Sequence, residues 1–587
     1  MKRLFMLFCV VILALGVVVV PTLGQDDAPS GVYYGTWPYV LPPDHNFNGF
    51  TGNGLGTNLG AVFRAYVELP PAIYNWGTQQ FEGLLAESWG FADDGSYYEI
   101  TLKSDAMWSN GDPVTSEDVI VTYAIGRIMG WTQFNYISDV TAVDDHTVRF
   151  TFSGEPSLVA ERLLLKDYIV SRATYGELAQ QALDLVASGA VRGDDSWTAL
   201  NTAISEFRPT EIVASGPYNY TMDDVGDAFM TLHWQPNSIF SDDVNFGSLR
   251  LWAGETEATT PLVLSGELGH ATNVYPAATI ESFQAEGIRL LDLARGYGPA
   301  LLFNFADENA PWNTLEVRQA MAYAINRDQN AFLTNGIGAR ATVYMAGLLD
   351  DNVPQMLNQD VIDQLNLYPN DLDAAAELMT TAGYTLNADG KWADADGNLI
   401  SVEYTFPAEF ADFAGAAQDA IAQLNAFGFD ITPRALPWAE AAAAIRNGDF
   451  SLSVWSWASG SPFAATQFYG PIQRFNTALA DDQPGIAFPM QFEWNGAEID
   501  LDSMITHASD GLDPEVHRER AGEVALIINT LMPYIPLNVE RSIEPLNENL
   551  IAGVPTEDTW LSNPSGSDHP MIWYLLNGVI SPGPGAA

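Results

Sequence analysis

Two tryptophans, Trp455 and Trp457, end the stretch FSLSVWSW, whose alternating apolar and polar residues predict a β-strand over 450–457. Because successive side chains of a strand point to opposite faces, both indoles belong to one face. Ligands of open α/β sheets bind beyond the carboxyl ends of the strands, so this pair and Ser459 in the next loop are predicted to line a cleft. Indole faces suit the C–H faces of sugar rings. The alternative is that both indoles fill a core, because indole is usually largely buried.

Further candidates for the same cleft are aromatic or polar residues of other predicted strands and loops. Each of them also fits a purely structural role. They are Tyr34, Trp37, Tyr297, Phe303, Asn304 and Tyr469.

Short motifs of catalytic or metal-binding chemistry are missing from the chain. The sequence HRER at 517–520 does not fit the HExxH zinc motif, and no GxSxG serine motif occurs. In the acidic stretch DGKWADADG at 389–397, the glycine comes two residues too early for an EF-hand calcium loop, which favours a polar turn. We therefore predict no catalytic residue, no metal site and no cofactor. Carboxylate pairs are too many to single out, so a glycoside hydrolase stays open as an alternative.

Local patterns in the first half of the chain predict strands and helices that could position such a cleft. Tyr98, Ile100 and Leu102 alternate with polar residues, as in a half-buried strand. Thr115 and Asp118 have the spacing of a capping box, which predicts the start of a helix.

The second half of the chain alternates helices with strands. The periodicity predicts helices over 316–330, 371–382, 410–427, 438–447 and 516–531, and strands over 429–436, 450–457 and 534–539. Gly383, Gly428 and Gly448 stand just past three of these helices, where glycine commonly ends a helix. Such alternation predicts a mainly parallel sheet with right-handed crossovers.

The amino-terminal residues predict export from the cytoplasm. Lys2 and Arg3 precede an apolar run, and the small-residue pattern at 22–24 follows it, which predicts a signal peptide over residues 1–24. A retained membrane anchor is the alternative. Cys9, the only cysteine, lies inside the apolar run rather than at its end, so a lipoprotein is not expected. The predicted location is the periplasm or the cell surface.

Charge and length narrow the class of partner. The 587 residues suffice for two or three domains, and 74 acidic against 24 basic residues give a net charge of −50. Nucleic acids and anionic membranes would repel such a chain, which excludes them as partners. We expect a monomer.

Two stretches far apart in the chain carry specific strings. Residues 84–123 contain LAESW, DDG and WSNGDPVTSEDV, and residues 317–328 read VRQAMAYAINRD. Both resemble signature runs of the family 5 extracytoplasmic solute-binding proteins, the dipeptide-, oligopeptide- and oligosaccharide-binding subunits of ABC importers. The string HNFN at 45–48 is similar to the entry of the oligosaccharide-binding branch, although Gly49 stands where that branch has Pro.

The resemblance implies an α/β, two-lobed periplasmic-binding-protein fold, type II in its large family 5 variant, with a hinge and an interlobe cleft. Lobe one is predicted over 32–292 plus 535–578 and lobe two over 293–533, with crossings near Leu293 and Tyr534. The implied function is to capture an extended solute and deliver it to an ABC permease in the membrane, without catalysis. A secreted glycoside hydrolase and a sensor that presents its ligand to a receptor are the alternatives.

The ligand predicted for this cleft is an oligosaccharide or an oligopeptide. Peptide-binding relatives often have an Asp after the cleft strand, but Ala458-Ser459-Gly460 offers none. An unpaired peptide ammonium buried between lobes would be costly, so a peptide binder needs an acid nearby. Glu409 or Asp412 could supply that acid from elsewhere. The residues put the oligosaccharide slightly ahead, whereas the family as a whole leans to peptides.

Overall fold

The computed structural model describes residues 28–37, 45–479 and 483–586. The predicted signal peptide, residues 1–24, and Cys9 lie outside the described residues. In the part of the chain that is described, no helix combines the length and the apolar character needed to cross a membrane.

The strands are short and are distributed along the whole described chain. In chain order they are β1 (Val32–Thr36), β2 (Ala72–Asn75), β3 (Gln80–Gly83), β4 (Ala86–Phe91), β5 (Tyr97–Leu102), β6 (Ile137–Ala142), β7 (Thr147–Phe152), β8 (Tyr218–Asn219), β9 (Phe229–Trp234), β10 (Ser248–Trp252), β11 (Arg289–Ala294), β12 (Gly298–Phe303), β13 (Ala339–Ala341), β14 (Thr385–Leu386), β15 (Trp392–Ala393), β16 (Ser401–Pro407), β17 (Asp430–Leu436), β18 (Leu452–Trp457), β19 (Gln491–Trp494), β20 (Ala497–Asp500), β21 (Tyr534–Pro536), β22 (Asn538–Leu546), β23 (Ile551–Ala552) and β24 (Ser581–Pro582).

The helices fall between these strands. In chain order they are α1 (Leu55–Phe63), α2 (Ser116–Met129), α3 (Leu158–Lys166), α4 (Arg172–Ala187), α5 (Asp195–Glu206), α6 (Thr256–Leu264), α7 (Ala277–Ala285), α8 (Leu315–Ala324), α9 (Arg327–Asn335), α10 (Val353–Met356), α11 (Gln359–Ile362), α12 (Leu372–Thr381), α13 (Ala411–Phe427), α14 (Trp438–Asn447), α15 (Ala464–Phe468), α16 (Gly470–Ile472), α17 (Leu501–Thr506), α18 (Pro514–Leu531) and α19 (Pro570–Leu576).

Two four-stranded sheets build most of the first lobe, with strand orders β1-β10-β9-β8 and β4-β5-β7-β6. The side chains of Tyr98, Ile100 and Leu102 on β5 are buried, as their alternation predicts. The predicted capping box before α2 is also present, because the backbone N–H of Thr115 donates to the Asp118 carboxylate over 2.9 Å. Local sequence thus determines these elements of the first lobe.

The second lobe contains a five-stranded sheet of order β17-β16-β18-β12-β21. Strand β16 runs parallel to β17 and β18, whereas β12 runs antiparallel to β18 and β21. Because β21 is antiparallel to β12, it runs in the direction of β16, β17 and β18, so four of the five strands are parallel and the prediction of a mainly parallel sheet is confirmed. Strand β12, which follows the first chain crossing, is the one of these five strands that runs against the direction of β18. Helices cover both faces of the sheet and complete its two hydrophobic cores.

Two chain segments join the lobes. Residues 295–297 connect β11 to β12, and Leu537 connects β21 to β22. Strand β22 pairs antiparallel with β11 along one part and with β13 along another. The hydrophobic core of the first lobe draws on residues before 294 and after 545, while the two cores of the second lobe draw on 300–537. The domain limits at 292/293 and 533/535 themselves stay predictions.

The helix predicted over 316–330 is two helices, α8 and α9. Ile325 leaves the helical conformation, with ψ 117°, and the side chain of Asn326 accepts the backbone N–H of Gln329 as a new cap. The backbone N–H of Asn326 in turn donates to the Gln423 side chain over 2.6 Å. Asn is among the favoured capping residues, and it starts the second helix here. The apolar residues keep helical spacing on both sides of the break, so the period alone does not reveal it.

Candidate functional site

A cavity of about 520 Å³ lies where the second lobe faces the crossing segment and the C-terminal part of the first lobe. Residues 407–474 contribute one side, the crossing segment 295–297 a second, and residues 564–567 a third. The lining residues are Arg295, Gly296, Tyr297, Pro407, Phe410, Phe413, Trp438, Trp455, Ser456, Ala458, Ser459, Gly460, Arg474, Pro564, Gly566 and Ser567.

Five of these residues, Tyr297, Phe410, Phe413, Trp438 and Trp455, form what we call the aromatic wall. The Trp438 and Trp455 rings stack at 6.4 Å with an interplanar angle of 27°. Tyr297 and Phe413 are almost parallel, with centroids 6.5 Å apart. Trp438 is 47% exposed and Phe410 is 40% exposed. Large aromatic side chains left open to solvent in one patch are typical of a binding surface.

Strand and helix ends hold the aromatic wall in place. Trp455 lies near the carboxyl end of β18, and Trp438 is the first residue of α14. The backbone N–H of Trp438 donates to the Glu409 carboxylate over 2.8 Å. Glu409, one of the acids considered above for a peptide ammonium, therefore binds the amino end of this helix, where a negative charge is favourable.

Two arginines give the cavity its charge. Arg295 Nε donates to the Tyr297 hydroxyl over 2.6 Å and lies 3.6 Å from the Glu540 carboxylate. Arg474 is exposed, its Nη1 lies 3.4 Å from the Ser456 hydroxyl, and its guanidinium lies over the Phe475 ring. Among the described residues that line the cavity there is no Asp and no Glu.

Glu540, on β22, is fully buried and lies 3.6 Å from Arg295. Burial raises its pKa, and the neighbouring Asp412 raises it further, against the opposing effect of Arg295. Burial thus disfavours the charged form of Glu540, although Arg295 lies 3.6 Å away and opposes that effect.

An ion cluster supports the first-lobe side of the cavity. The buried Asp568 carboxylate lies 2.8 Å from both Arg162 and Lys166, and Lys166 also donates to the Ser567 hydroxyl over 2.7 Å. Burial acts to raise the pKa of Asp568, but the two cations outweigh it and hold the pKa well below its usual range. Burial lowers the pKa of Lys166 to about 8. Ser567 is thus fixed by charged partners behind it.

A second cavity of about 290 Å³ shares Gly296, Gly460 and Pro564 with the first. Gly296 has φ +85°, and a Cβ on it would lie 2.7 Å from the Gly460 Cα, so the crossing segment and the loop after β18 meet at two glycines. The second cavity is more polar, and Arg541 in it pairs with Asp351 over 3.1 Å. Together the adjoining cavities make an elongated cleft that suits an extended solute.

Three of the residues predicted from sequence, Trp455, Ser459 and Tyr297, line the first cavity. Whether they contact a ligand stays a prediction. The structure corrects the prediction that Trp457 lines the cleft. Its side chain is 0% exposed, and its indole N–H donates to the Asn538 carbonyl over 3.0 Å. The alternating pattern assigns both tryptophans to one face, but the start of β22 covers the second ring.

The other candidates lie outside this cavity's lining, and the contacts of several are structural. Phe303 is 0% exposed and stacks on Trp312, while the Asn304 amide binds the carbonyls of residues 448 and 450. Tyr34 and Trp37 pack half-buried against the first-lobe core. Tyr469 is exposed but does not line the cavity.

The HNFN string is also structural in this protein. Asn46 and Asn48 are buried, and the Asn48 amide donates to backbone carbonyls of residues 204 and 207. The oligosaccharide hypothesis therefore loses this string and Trp457 as supports.

Sequence reasoning missed Phe410, Phe413, Trp438, Arg295 and Arg474 as residues of the cleft. Trp438 follows Pro437 at a helix start, an exposed position at which a large indole is unusual. The two arginines carry no local sequence signal. They stand out only because the chain has few basic residues.

Away from the cleft, His270, Glu544 and His569 form a buried group that we call the histidine–glutamate network. Their ligating atoms lie within 4.8 Å of one another, as a metal site would require. The backbone N–H of Met571 donates to His569 Nδ1, so the ring proton of neutral His569 is on Nε2, which donates to Glu544 over 3.0 Å. A protonated nitrogen cannot bind a metal, so hydrogen bonding accounts for this group better than an ion does.

Solved structures share this fold. The chain is similar to a periplasmic oligopeptide-binding protein of an ABC transporter from Thermotoga maritima, with a TM-score of 0.74 at 18% identity over 94% of this chain and 99% of that one. The mannohexaose-bound form of the oligopeptide-binding protein from the same organism aligns with a TM-score of 0.68 at 20% identity, covering 94% and 98% of the two chains. The predicted two-lobed periplasmic-binding-protein fold is confirmed.

Sequence comparison agrees with the fold. Heme-binding protein A of Haemophilus influenzae is 20% identical over 553 residues, which are 88% of this chain and 87% of that protein. Residues 80–476 match the profile described as bacterial extracellular solute-binding proteins, family 5 Middle. The chain therefore belongs to the family 5 bacterial extracellular solute-binding proteins.

Proposed function

We propose that this protein is the substrate-binding subunit of an ABC importer, which closes its two lobes on an extended oligosaccharide in the interlobe cleft. It is exported by its signal peptide, acts as a monomer without catalysis or cofactor, and delivers the solute to a membrane permease. The observation that carries the proposal is the aromatic wall, an open aromatic surface in the first cavity, whose described lining has no carboxylate.

The missing carboxylates favour binding over hydrolysis. Glycoside hydrolases use a pair of carboxyl groups that flank the scissile bond. The described lining residues of the first cavity supply none, since Glu409 caps α14 and Glu540 is buried. In the second cavity Asp351 pairs with Arg541. A sensor that presents its ligand to a receptor would need the same cleft, so only the protein's membrane partner separates that role from import.

The absence of carboxylates from the described lining of the first cavity also favours a sugar over a peptide. A peptide ammonium inside the closed cleft would need a negatively charged partner. The aromatic wall instead offers ring faces of the kind that stack on sugars, with the Ser456 and Ser459 hydroxyls beside them. The mannohexaose complex of the T. maritima relative indicates that this fold accommodates six linked sugar rings.

Incubation with mannohexaose, an acidic hexasaccharide and a mixture of short peptides tests the proposal. We expect saturable one-to-one binding of a sugar, recovery of the intact ligand and a higher melting temperature at saturation. Turnover of any of these compounds would refute the binding-protein assignment. Binding of peptides alone would refute the sugar assignment and leave the transport role standing.

A further inference from the structure

The charge of the cleft is opposite to that of the protein. The chain has a net charge of −50, with 74 acidic and 24 basic residues. The cavity with the aromatic wall has two arginines and no acid among its described lining residues. A neutral ligand does not require a positively charged cavity. An anionic ligand does, because the acidic surface of the protein repels it.

Arg474 is placed to meet a ligand. It is exposed, it belongs to no ion pair between described residues, and its closest polar neighbour, the Ser456 hydroxyl, is 3.4 Å away. Its guanidinium lies above Phe475, whose ring packs edge-on against Trp455 at 5.7 Å. The charged guanidinium group of Arg474 therefore lies next to the aromatic wall.

Arg295 supplies the second charge from the crossing segment. Its guanidinium lies 5.2 Å from the Tyr297 ring centroid and donates to that hydroxyl, which fixes it beside the aromatic wall. Its acidic neighbour Glu540 is buried 3.6 Å away, and burial raises the pKa of that carboxyl.

We propose that the cleft selects an anionic sugar chain with carboxylates, as in uronic acids, whose rings stack on the aromatic wall while a carboxylate pairs with Arg474. This rests on the proposed function and adds the substrate class. The planar guanidinium fork matches the geometry of a carboxylate, and charge-assisted hydrogen bonds of this kind are the stronger ones. Arg295 contributes positive potential and positions Tyr297.

Calorimetric titration with hexagalacturonate and with its carboxyl-reduced, neutral counterpart tests the proposal. We expect the acidic hexamer to bind at least about tenfold more tightly, the scale of one hydrogen-bonded charge. The preference should shrink as sodium chloride rises from about 20 mM to about 500 mM, because exposed charge pairs are screened. Arg474→Gln should remove most of the preference for the acidic hexamer.

Arg192→Gln is the matched control, because Arg192 is exposed and lies outside the cleft lining. It removes the same charge and should leave both affinities unchanged. Equal binding of the two hexamers by the wild type would overturn the acidic preference and leave the sugar-binding function intact. Binding of peptides with neither hexamer bound would overturn both.

Discussion

The aromatic wall and the histidine–glutamate network both bring together residues capable of chemistry, but they differ in access and in partners. In the aromatic wall, Trp438 and Phe410 keep 47% and 40% of their surface exposed. In the network, His270, Glu544 and His569 are at most 1% exposed and bond to one another. Residue type alone would favour the network as a site. Open surface indicates that the aromatic wall is the functional region and the network is structural.

The largest expected effect is on the network. Glu544→Gln replaces the shared acceptor by an amide and leaves at least one buried imidazole N–H without its partner. We expect the free energy of unfolding to fall by about 3–5 kcal/mol, as for a broken buried pair. Denaturant unfolding measures it. Glu548→Gln is the control, since that carboxylate is exposed and pairs with Arg289 at the surface, which should cost at most about 1 kcal/mol. Equal losses in both variants would contradict the structural role.

Acid should weaken the fold through the same network. Burial lowers the pKa of His270. Burial acts to raise the pKa of Glu544, but His569 and His270 outweigh it and hold the pKa below its usual range. Both groups bind fewer protons in the folded chain, so their stabilisation is lost as pH falls below about 6.5 for the histidine and about 4.3 for the glutamate. Glu544 raises the pKa of His270 against the effect of burial, so Glu544→Gln lowers that pKa further and should lose more unfolding free energy than the wild type between about pH 7.5 and about pH 5. Identical losses would exclude the network as the cause.

A smaller effect is expected in the aromatic wall, and on binding instead of folding. Trp438→Ala should weaken sugar binding by about 1–3 kcal/mol, the scale of burying a large apolar side chain, with little change in melting temperature. Trp457→Ala is the contrasting variant. It should lower the unfolding free energy by about 3–5 kcal/mol and leave affinity unchanged in the folded protein. Calorimetric titration and thermal unfolding of both variants separate the roles, and the reverse pattern would contradict them.

Sequence patterns predicted the elements that depend on neighbouring residues. The capping box at Thr115 and Asp118, the alternation along β5 and the glycine ends at Gly428 and Gly448 are all present. The family and the two-lobed fold were recognisable for a related reason, because the strings that identify them are local.

Features that depend on distant parts of the chain were not predictable in this way. The burial of Trp457 depends on Asn538, 81 residues further along the chain. The reversed direction of β12 in the second-lobe sheet depends on where the chain crosses from the first lobe. The first cavity joins residues from 295 to 567, so no local period marks Arg295, Trp438 and Arg474 as neighbours.

Small-angle X-ray scattering tests the central claim, closure of two lobes on a solute held in the cleft. At saturating oligosaccharide the radius of gyration of the wild type should fall, because hinge bending brings the lobes together. At a sugar concentration that saturates only the wild type, Trp438→Ala should show a smaller decrease. Saturable one-to-one binding with an unchanged radius of gyration would contradict closure about the crossings near Leu293 and Tyr534.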